Sequence, residues 1–374
     1  MLNFPIPEVK ETLETVMRYY PDNINPQTAT EIEVLLDHCL EGLEDHSDKM
    51  LATLLIKALK KHIGPVGTDE HIYLKKFDLP QIKLFDLIIK HFPFVRLAHD
   101  VVNATIVSEM RKVRSATLID FGIGRGIQTQ AMLEMLQNDP ASKLEVLTII
   151  GVEPFTDALA VAEQLVNDRN KSVPFDIHFI PLNMLVEQVD FDEIQALIPV
   201  DNEFLAVNES LTLHHVQSSN IRNDLMLKIA QLHPQQFLLT EPNIDHFEPD
   251  FHKRFQNCYR HFYHVFAVID KLDIAKDERN GLKLFFGREI DDIIGKQFQD
   301  RYERHEPADM WLWRLRKAGF AVSERFVLPE ALHQTKAISA RWQEQGYLGF
   351  SHADETVLAL IYATTHDAFK KSEE

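Results

Sequence analysis

The chain has 374 residues, 45% of them hydrophobic, enough for one large domain or for a domain with a helical elaboration. Its formal net charge of -18 comes from acids spread along the chain, a surface that repels phosphate backbones and disfavours nucleic acid as a partner. Only two cysteines occur, Cys39 and Cys258, without metal-ligand spacing, which argues against a disulfide framework; no stretch approaches the ~18 apolar residues of a membrane span, so a cytoplasmic protein is expected.

Residues 1–114 read as helical. ETLETVMRYY, TATEIEVLLDHCLEGL, DKMLATLLIKALKKHI and QIKLFDLIIKHF each set apolar residues at i, i+3, i+4 and i+7, and HIGPVGTDEH (62–71) is the clearest internal break. From Ala116 the texture changes. TLIDF, VLTIIGV, FDIHFI, EFLAV and QFLLT are strand-like and alternate with helical stretches, which predicts βαβ units and a parallel sheet. A long aromatic helix, DFHKRFQNCYRHFYHVFAVIDKL, comes next, then two more helices and a hairpin formed by GYLGF and TVLALIYAT. The expected architecture is an open-sheet α/β core over 115–374, with an α-helical cap built from 1–114 and from an inserted helix at 249–275.

The first strand runs into LIDFGIGRG (118–126), three glycines at alternate positions before a helix. Such a turn presents free backbone N–H groups and lets a ligand approach closely. A dinucleotide fingerprint would need glycine where Ile127 stands, and no Lys-Ser/Thr pair follows as in a phosphate-binding P-loop. What remains is an acid, an apolar residue and Gly-x-Gly-x-Gly. In that pattern Asp120 takes an ammonium group while Gly122, Gly124 and Gly126 let the adenosyl part of S-adenosylmethionine (SAM) lie on the backbone. A plain strand-to-helix turn is the alternative. Glu153, at the end of the second strand, stands where a carboxylate would hold a ribose diol, or where a solvated acid precedes Pro154. Asn183, after the third strand, is a candidate for the adenine edge or a helix cap.

The fourth strand leads into Asn208, Glu209 and Ser210, then LTLHHV with His214 and His215; the fifth ends at Glu241, followed by Asn243, Asp245 and His246. Carboxyl ends of central strands face the crevice of an open sheet, so these side chains are expected to border a ligand. Methyl transfer from a sulfonium needs in-line positioning and a base, for which His215 or Glu241 is favoured. Metal ligation by Glu209, His214, His215, Glu241 and His246 is an alternative whose spacing fits no metal pattern, so none is expected. In RYERHE (301–306), His305 or Glu306 lies on a cleft wall or the run is a solvated helix start. The rings of Phe251, Phe255, Tyr259, Phe262, Tyr263 and Phe266 wrap more than one face of their helix, so they are core or they line a pocket for a hydrophobic molecule.

Taken in order, these segments resemble GRAS-domain proteins, of the bacterial type. FPFVRLAHDVVNATI is similar to the family's first leucine-rich segment and TLIDFGIGRGIQ to its V-H-I-I-D motif. LAVNESLTLHHV is similar to the segment with Asn, a four-residue gap and Leu-His-His, and LTEPNIDHFEPDFHKRF to the Glu-containing strand end and following helix. FFGREI and RYERHEPADMWLWRLRKAGF resemble the R-V-E-R-H-E block with its downstream Trp311, and GYLGF to AFKK covers the terminal S-A-W region. The resemblance implies a Rossmann-like class I methyltransferase sheet with a helical cap, a fold whose plant members are transcriptional regulators acting through protein contacts. The chain departs from the plant pattern at Gly122 and Glu153, two positions a SAM ligand needs, and lacks the terminal Trp near Ala368 and Phe369.

The leading expectation is therefore a SAM-dependent methyltransferase of a small molecule, with a homodimer as assembly and no nucleic-acid or membrane partner. Asp120, Gly122, Gly124, Gly126, Glu153 and Asn183 would hold the cofactor, and Asn208, Glu209, His215, Glu241 and His305 would face the substrate. The alternative is a non-catalytic regulator of the GRAS type that binds a small ligand or a protein.

Overall fold

A computed structural model describes residues 7–41, 50–63, 81–330, 332 and 336–365. They divide into two compact units, Met1–Phe92 with Ile244–Glu306, and Pro93–Asn243 with Pro307–Glu374. Most of the Gly/Pro-rich break at 62–71 and the end of the chain around Ala368 lie outside the described residues.

The first unit is helical: α1 (Pro7–Val16), α2 (Pro26–Glu41), α3 (Met50–Ile63), α4 (Gln81–His91), and then the inserted α10 (Phe251–Ile269) and α11 (Lys276–Gly295). Helix α11 packs on α3, α4 and α10. Gly287 permits the close approach to α3, because a Cβ there would lie 2.8 Å from a methyl of Leu54. The rings of α10 are core: Phe251, Phe255, Tyr259, Phe262 and Phe266 are buried and only Tyr263 is exposed, so they form no open pocket wall. The RYERHE run is no solvated helix start either. Residues 301–307 are irregular backbone, and Arg301, Glu303, Arg304, His305 and Glu306 are all buried.

The second unit holds a nine-stranded mixed sheet. Strands β1 (Ser115–Phe121), β2 (Val146–Val152), β3 (Asp176–Leu182), β4 (Phe204–Ser210) and β5 (Gln236–Pro242) run parallel in the order β3-β2-β1-β4-β5. Strands β1 and β5 are buried along their whole length, their polar residues Thr117, Asp120, Thr240 and Glu241 included. The sheet continues through β9 (Glu355–Thr365), antiparallel to β5, to β8 (Tyr347–His352) and β7 (Ser339–Gln343), with β6 (Phe320–Ser323) also on β9. Helices α5 (Pro93–Met110), α6 (Ile127–Gln137), α7 (Thr156–Asn170), α8 (Phe191–Leu197), α9 (Ser219–Gln231) and α12 (Ala308–Lys317) complete the unit. Trp311, Leu312 and Leu315 of α12 join Leu225, Met226 and Ile229 of α9 in one core against β1, β4 and β5.

Two sequence boundaries move. Helix α5 packs on α6 and on β4, β5 and β9, so the sheet unit begins at Pro93 and not near residue 115. The inserted helical segment spans Ile244–Glu306, wider than 249–275. No helix among the described residues is long and apolar enough to cross a membrane. Because the chain order turns back between β1 and β4, the carboxyl ends of these two strands flank the switch point where open α/β sheets bind ligands.

Candidate functional site at the carboxyl ends of the parallel strands

All three loop glycines have positive φ: +78° at Gly122, +54° at Gly124 and +72° at Gly126, the N-cap of α6. Two of them are explained by close packing within the unit. A Cβ at Gly122 would fall 1.9 Å from Thr212 Oγ1, and one at Gly126 would fall 3.2 Å from the Cβ of Ala162 on α7. Gly124 is different, since only the Gly122 carbonyl, 3.9 Å away, lies near its missing Cβ. The loop amides are bonded internally. Gly122 and Ile123 donate to the Val152 carbonyl (2.9 and 3.3 Å), Gly126 donates to Ile123 (2.9 Å), and Gly124 donates to Glu153 Oε2 (3.1 Å).

Glu153 is thus a brace for the loop. Its other oxygen accepts from the Phe155 amide at 3.0 Å, and burial pushes its pKa up. Asn183 supports the same turn, donating to the carbonyls of Glu153 and Pro154 and accepting from Thr156 Oγ1, all at 2.9 Å. Both residues were expected on the cofactor, at the ribose and the adenine edge; what they touch here is backbone and Thr156.

Asp120 and Asn208 face each other across β1 and β4, as their strand register dictates. Asn208 Nδ2 donates to Asp120 Oδ1 at 2.8 Å, and Thr129 Oγ1 donates to Oδ2 at 3.0 Å. Asp120 is 3% exposed, and burial pushes its pKa up to about 6 against those two hydrogen bonds. Gln128 and Asn103 extend the network, with Asn103 Nδ2 on the Gln128 carbonyl at 3.1 Å.

A second cluster lies where β4 and β5 end. Glu209 Oε1 accepts the amides of Thr212 (2.9 Å) and Leu213 (3.0 Å), while Glu241 accepts the His214 amide at 3.1 Å and its second oxygen lies 2.6 Å from His214 Nδ1. Both carboxyls are buried and each bears on the titration of the other, while Glu209 Oε2 itself has no hydrogen-bond partner among the described residues. Burial pushes Glu241 up to about 7; Glu209 is raised well above its ordinary value by burial and then by the charge of Glu241. Burial, with Arg222 nearby, lowers His214 to about 3. Arg222 completes the cluster, donating to the carbonyls of His214 and Val216 at 2.8 Å.

The expected base, His215, is therefore not the histidine on Glu241. Its ring lies 4.0 Å from that of His214 on a short 3₁₀ turn. His305 belongs to the helical unit, where its Nδ1 is 2.7 Å from His246 Nδ1. Thr212, Thr129 and Gln128 were not foreseen. Thr212 sits inside LTLHHV, where a hydroxyl between two leucines carries no sequence signal.

The model of the GRAS domain family matches residues 25–360. The chain belongs to this family. Among curated GRAS relatives it is similar to chitin-inducible gibberellin-responsive protein 2 of Oryza sativa subsp. japonica, 29% identical over 65% of this chain and 46% of that protein. It is also similar to DELLA protein 2 of Medicago truncatula, 24% identical over 76% of this chain and 56% of that one. It spans about half the length of the curated relatives it matches. The solved structure of SCL7 in Oryza sativa shares the fold, with a TM-score of 0.77 at 20% identity over 96% of this chain and 99% of that one.

These findings overturn the expectation of a SAM-dependent methyltransferase, and with it the small-molecule substrate. The relatives are gibberellin-responsive and DELLA proteins of the GRAS family. Several solved methyltransferases match at TM-scores of 0.34 to 0.44, too low to carry an assignment.

Proposed function

We propose that this GRAS chain is a non-catalytic regulator that works by binding other proteins. The observation that carries this reading is how many bonds at the strand ends serve to hold the loops. Glu153 braces Gly124, Thr212 fills the space over Gly122, Glu209 and Glu241 hold the turn at 212–214, and Asp120 is bonded to Asn208 and Thr129. These bonds serve rigidity, which suits a scaffold, although Asn208 Oδ1 and Glu209 Oε2 are buried without a partner among the described residues. The strand order β3-β2-β1-β4-β5 supports the finer fold reading, a Rossmann-like class I sheet, and Gly122 with Glu153 supports the bacterial type. The test is a reporter assay with the chain tethered to a promoter through a fused DNA-binding domain. Reporter output is expected to change; unchanged output with well-expressed protein would refute the regulatory reading.

One observation favours a bound small ligand as well. Gly124 faces open space beside Glu153 and the buried Asp120, so a cation such as SAM would find backbone access and negative charge there. Calorimetric titration with SAM and S-adenosylhomocysteine decides it. Micromolar binding would make the ligand regulatory, and absence of heat would leave the glycines as a structural turn.

A further inference from the structure

The RYERHE run of the helical unit contains an arginine with half of its bonding capacity unused. Arg301 is fully buried, and its Nη1 donates to the His246 carbonyl at 3.0 Å. Its Nε and Nη2 are buried as well and have no hydrogen-bond partner among the described residues. These two nitrogens form one edge of the guanidinium, the planar fork whose spacing matches two oxygens of a carboxylate or a phosphate. A buried donor without an acceptor costs more than an ordinary hydrogen bond returns, so a whole fork in that state calls for an explanation.

The charges around the fork decide what satisfies it. Arg254 of α10 and Arg304 are also buried; Arg254 donates to the carbonyls of Ile293, Glu248 and Pro249, and Arg304 to those of Arg301 and Phe298. Carbonyls satisfy the N–H groups but leave the positive charges standing. The nearby acids are engaged elsewhere: Asp292 accepts the amides of Tyr302 and Glu303 and pairs with Lys296 at 2.8 Å, and Asp245 accepts the amides of Phe247 and Glu248. Burial, and then Arg254 and Arg304, bring the pKa of Arg301 down to about 9, which leaves it cationic at neutral pH. A water molecule would satisfy the donors and leave the charge unbalanced, whereas an oxyanion answers both.

We infer that Arg301 anchors a binding site in the helical unit for an oxyanion, the carboxylate or phosphate group of a small ligand. The approach lies under Phe298, which is 45% exposed and belongs to the exposed stretch 297–300. The centre of its ring is 4.9 Å from the Arg301 guanidinium and 4.6 Å from that of Arg304, so the ring covers both charges on their solvent side. The net charge of -18 repels anions at long range, so affinity comes from the fork and its buried field and not from steering.

Calorimetric titration of the full chain with sodium phosphate and, separately, with sodium acetate, at fixed ionic strength, tests this. The native chain is expected to bind one anion per molecule with a Kd of about 1 mM or tighter. Tighter binding of phosphate assigns a phosphorylated ligand, and tighter binding of acetate assigns a carboxylic acid. Arg301→Lys keeps the charge and loses the fork, so affinity falls at least ~10-fold. Phe298→Glu is the second variant, because its exposed position leaves folding intact; the carboxylate it introduces reaches the fork from within the chain and shuts the anion out. The tighter-binding anion at ten times its Kd should raise the folded-to-unfolded ratio of the native chain about elevenfold and leave that of Phe298→Glu unchanged. No saturable binding of either anion by the native chain overturns the inference. So does an affinity that neither substitution changes, which is the mark of an adventitious ion only.

Discussion

Thr212 Oγ1 occupies the space that a side chain at Gly122 would need, 1.9 Å from the position of the missing Cβ. Gly122→Ala therefore meets two costs, overpacking against Thr212 of about 1–3 kcal/mol and left-handed backbone strain at φ +78° of about 1–2 kcal/mol. The first is removable. In a Thr212→Gly background the overpacking cost disappears and only the strain remains, so a double-mutant cycle by urea unfolding should give a coupling of at least ~1 kcal/mol. Additive losses would show that Thr212 does not contact the loop. An acid placed at 122 to probe ligand binding would encounter the same hydroxyl, so any loss of binding would need this control.

The Glu209 and Glu241 pair predicts a pH effect of known sign. Both carboxyls are held above their ordinary values in the folded chain, so the native state keeps protons that the unfolded chain releases from about pH 4.5 upward. Their stabilising contribution is complete at low pH and is lost as pH rises through 7. Glu209→Gln keeps an oxygen for the amides of Thr212 and Leu213 and removes one of the two buried carboxyls. Its stability relative to the native chain should rise between pH 5 and 8, by on the order of 1 kcal/mol. His214, depressed to about 3, has the opposite slope below pH 6.5 but is common to both chains and cancels in the difference. A difference that is flat with pH would mean that the Glu209 carboxyl is not held above its ordinary value in the folded chain.

The parallel half of the sheet was legible because its central strands are buried and rich in apolar residues, while the edge strand β3 alternates apolar and polar residues over FDIH. VLTIIGV is β2 residue for residue, and the other four central strands shift by at most three positions. Strands β6 (FAVS) and β7 (SARWQ) have little sequence signal: both are short, FAVS does not alternate, and SARWQ alternates but has only Ala340 and Trp342 as apolar positions, neither of them buried. The expected hairpin of GYLGF and TVLALIYAT is the antiparallel pair β8 and β9. At the strand ends the sequence located the polar residues but not their partners. Asp120 and Asn208 meet because β1 and β4 are neighbours in register, a long-range fact that no local spacing encodes. The choice of His214 over His215 for Glu241 depends on a single 3₁₀ turn, which rotates adjacent side chains apart. Glu153 was placed at its strand end, yet its bond to Gly124 makes it part of the loop it was expected to complement.

That bond makes Glu153 testable without any ligand. Removing the carboxylate frees the half-buried amides of Gly124 and Phe155 from their acceptors, at a cost of about 1 kcal/mol. Glu153→Ala should lower the unfolding midpoint and raise amide hydrogen exchange in residues 122–126, while Glu153→Gln, which keeps one acceptor oxygen, should fall between. Unchanged exchange in the alanine variant would show that the loop holds its shape through its glycines and the Val152 carbonyl alone.

Asp120 provides the last test, because its burial and its hydrogen bonds pull in opposite directions. Its pKa is pushed from 3.8 up to about 6, so the desolvation cost exceeds what Asn208 and Thr129 return. A raised acid contributes stability that is complete below pH 3.8 and is lost as pH climbs through 6; the charged form then costs up to about 3 kcal/mol. Asp120→Asn removes that charge, keeps an acceptor for Asn208 Nδ2, and forfeits the Thr129 bond at about 1 kcal/mol. The variant should be the less stable chain at pH 4 and the more stable one at pH 8, with the curves crossing near pH 4.5. Asp120→Ala loses both partners and should be the less stable at pH 4 by a wider margin. If Asp120→Asn lost more at pH 8 than at pH 4, the carboxylate would be stabilised as an anion, and a cation bound beside it would be the first explanation to pursue.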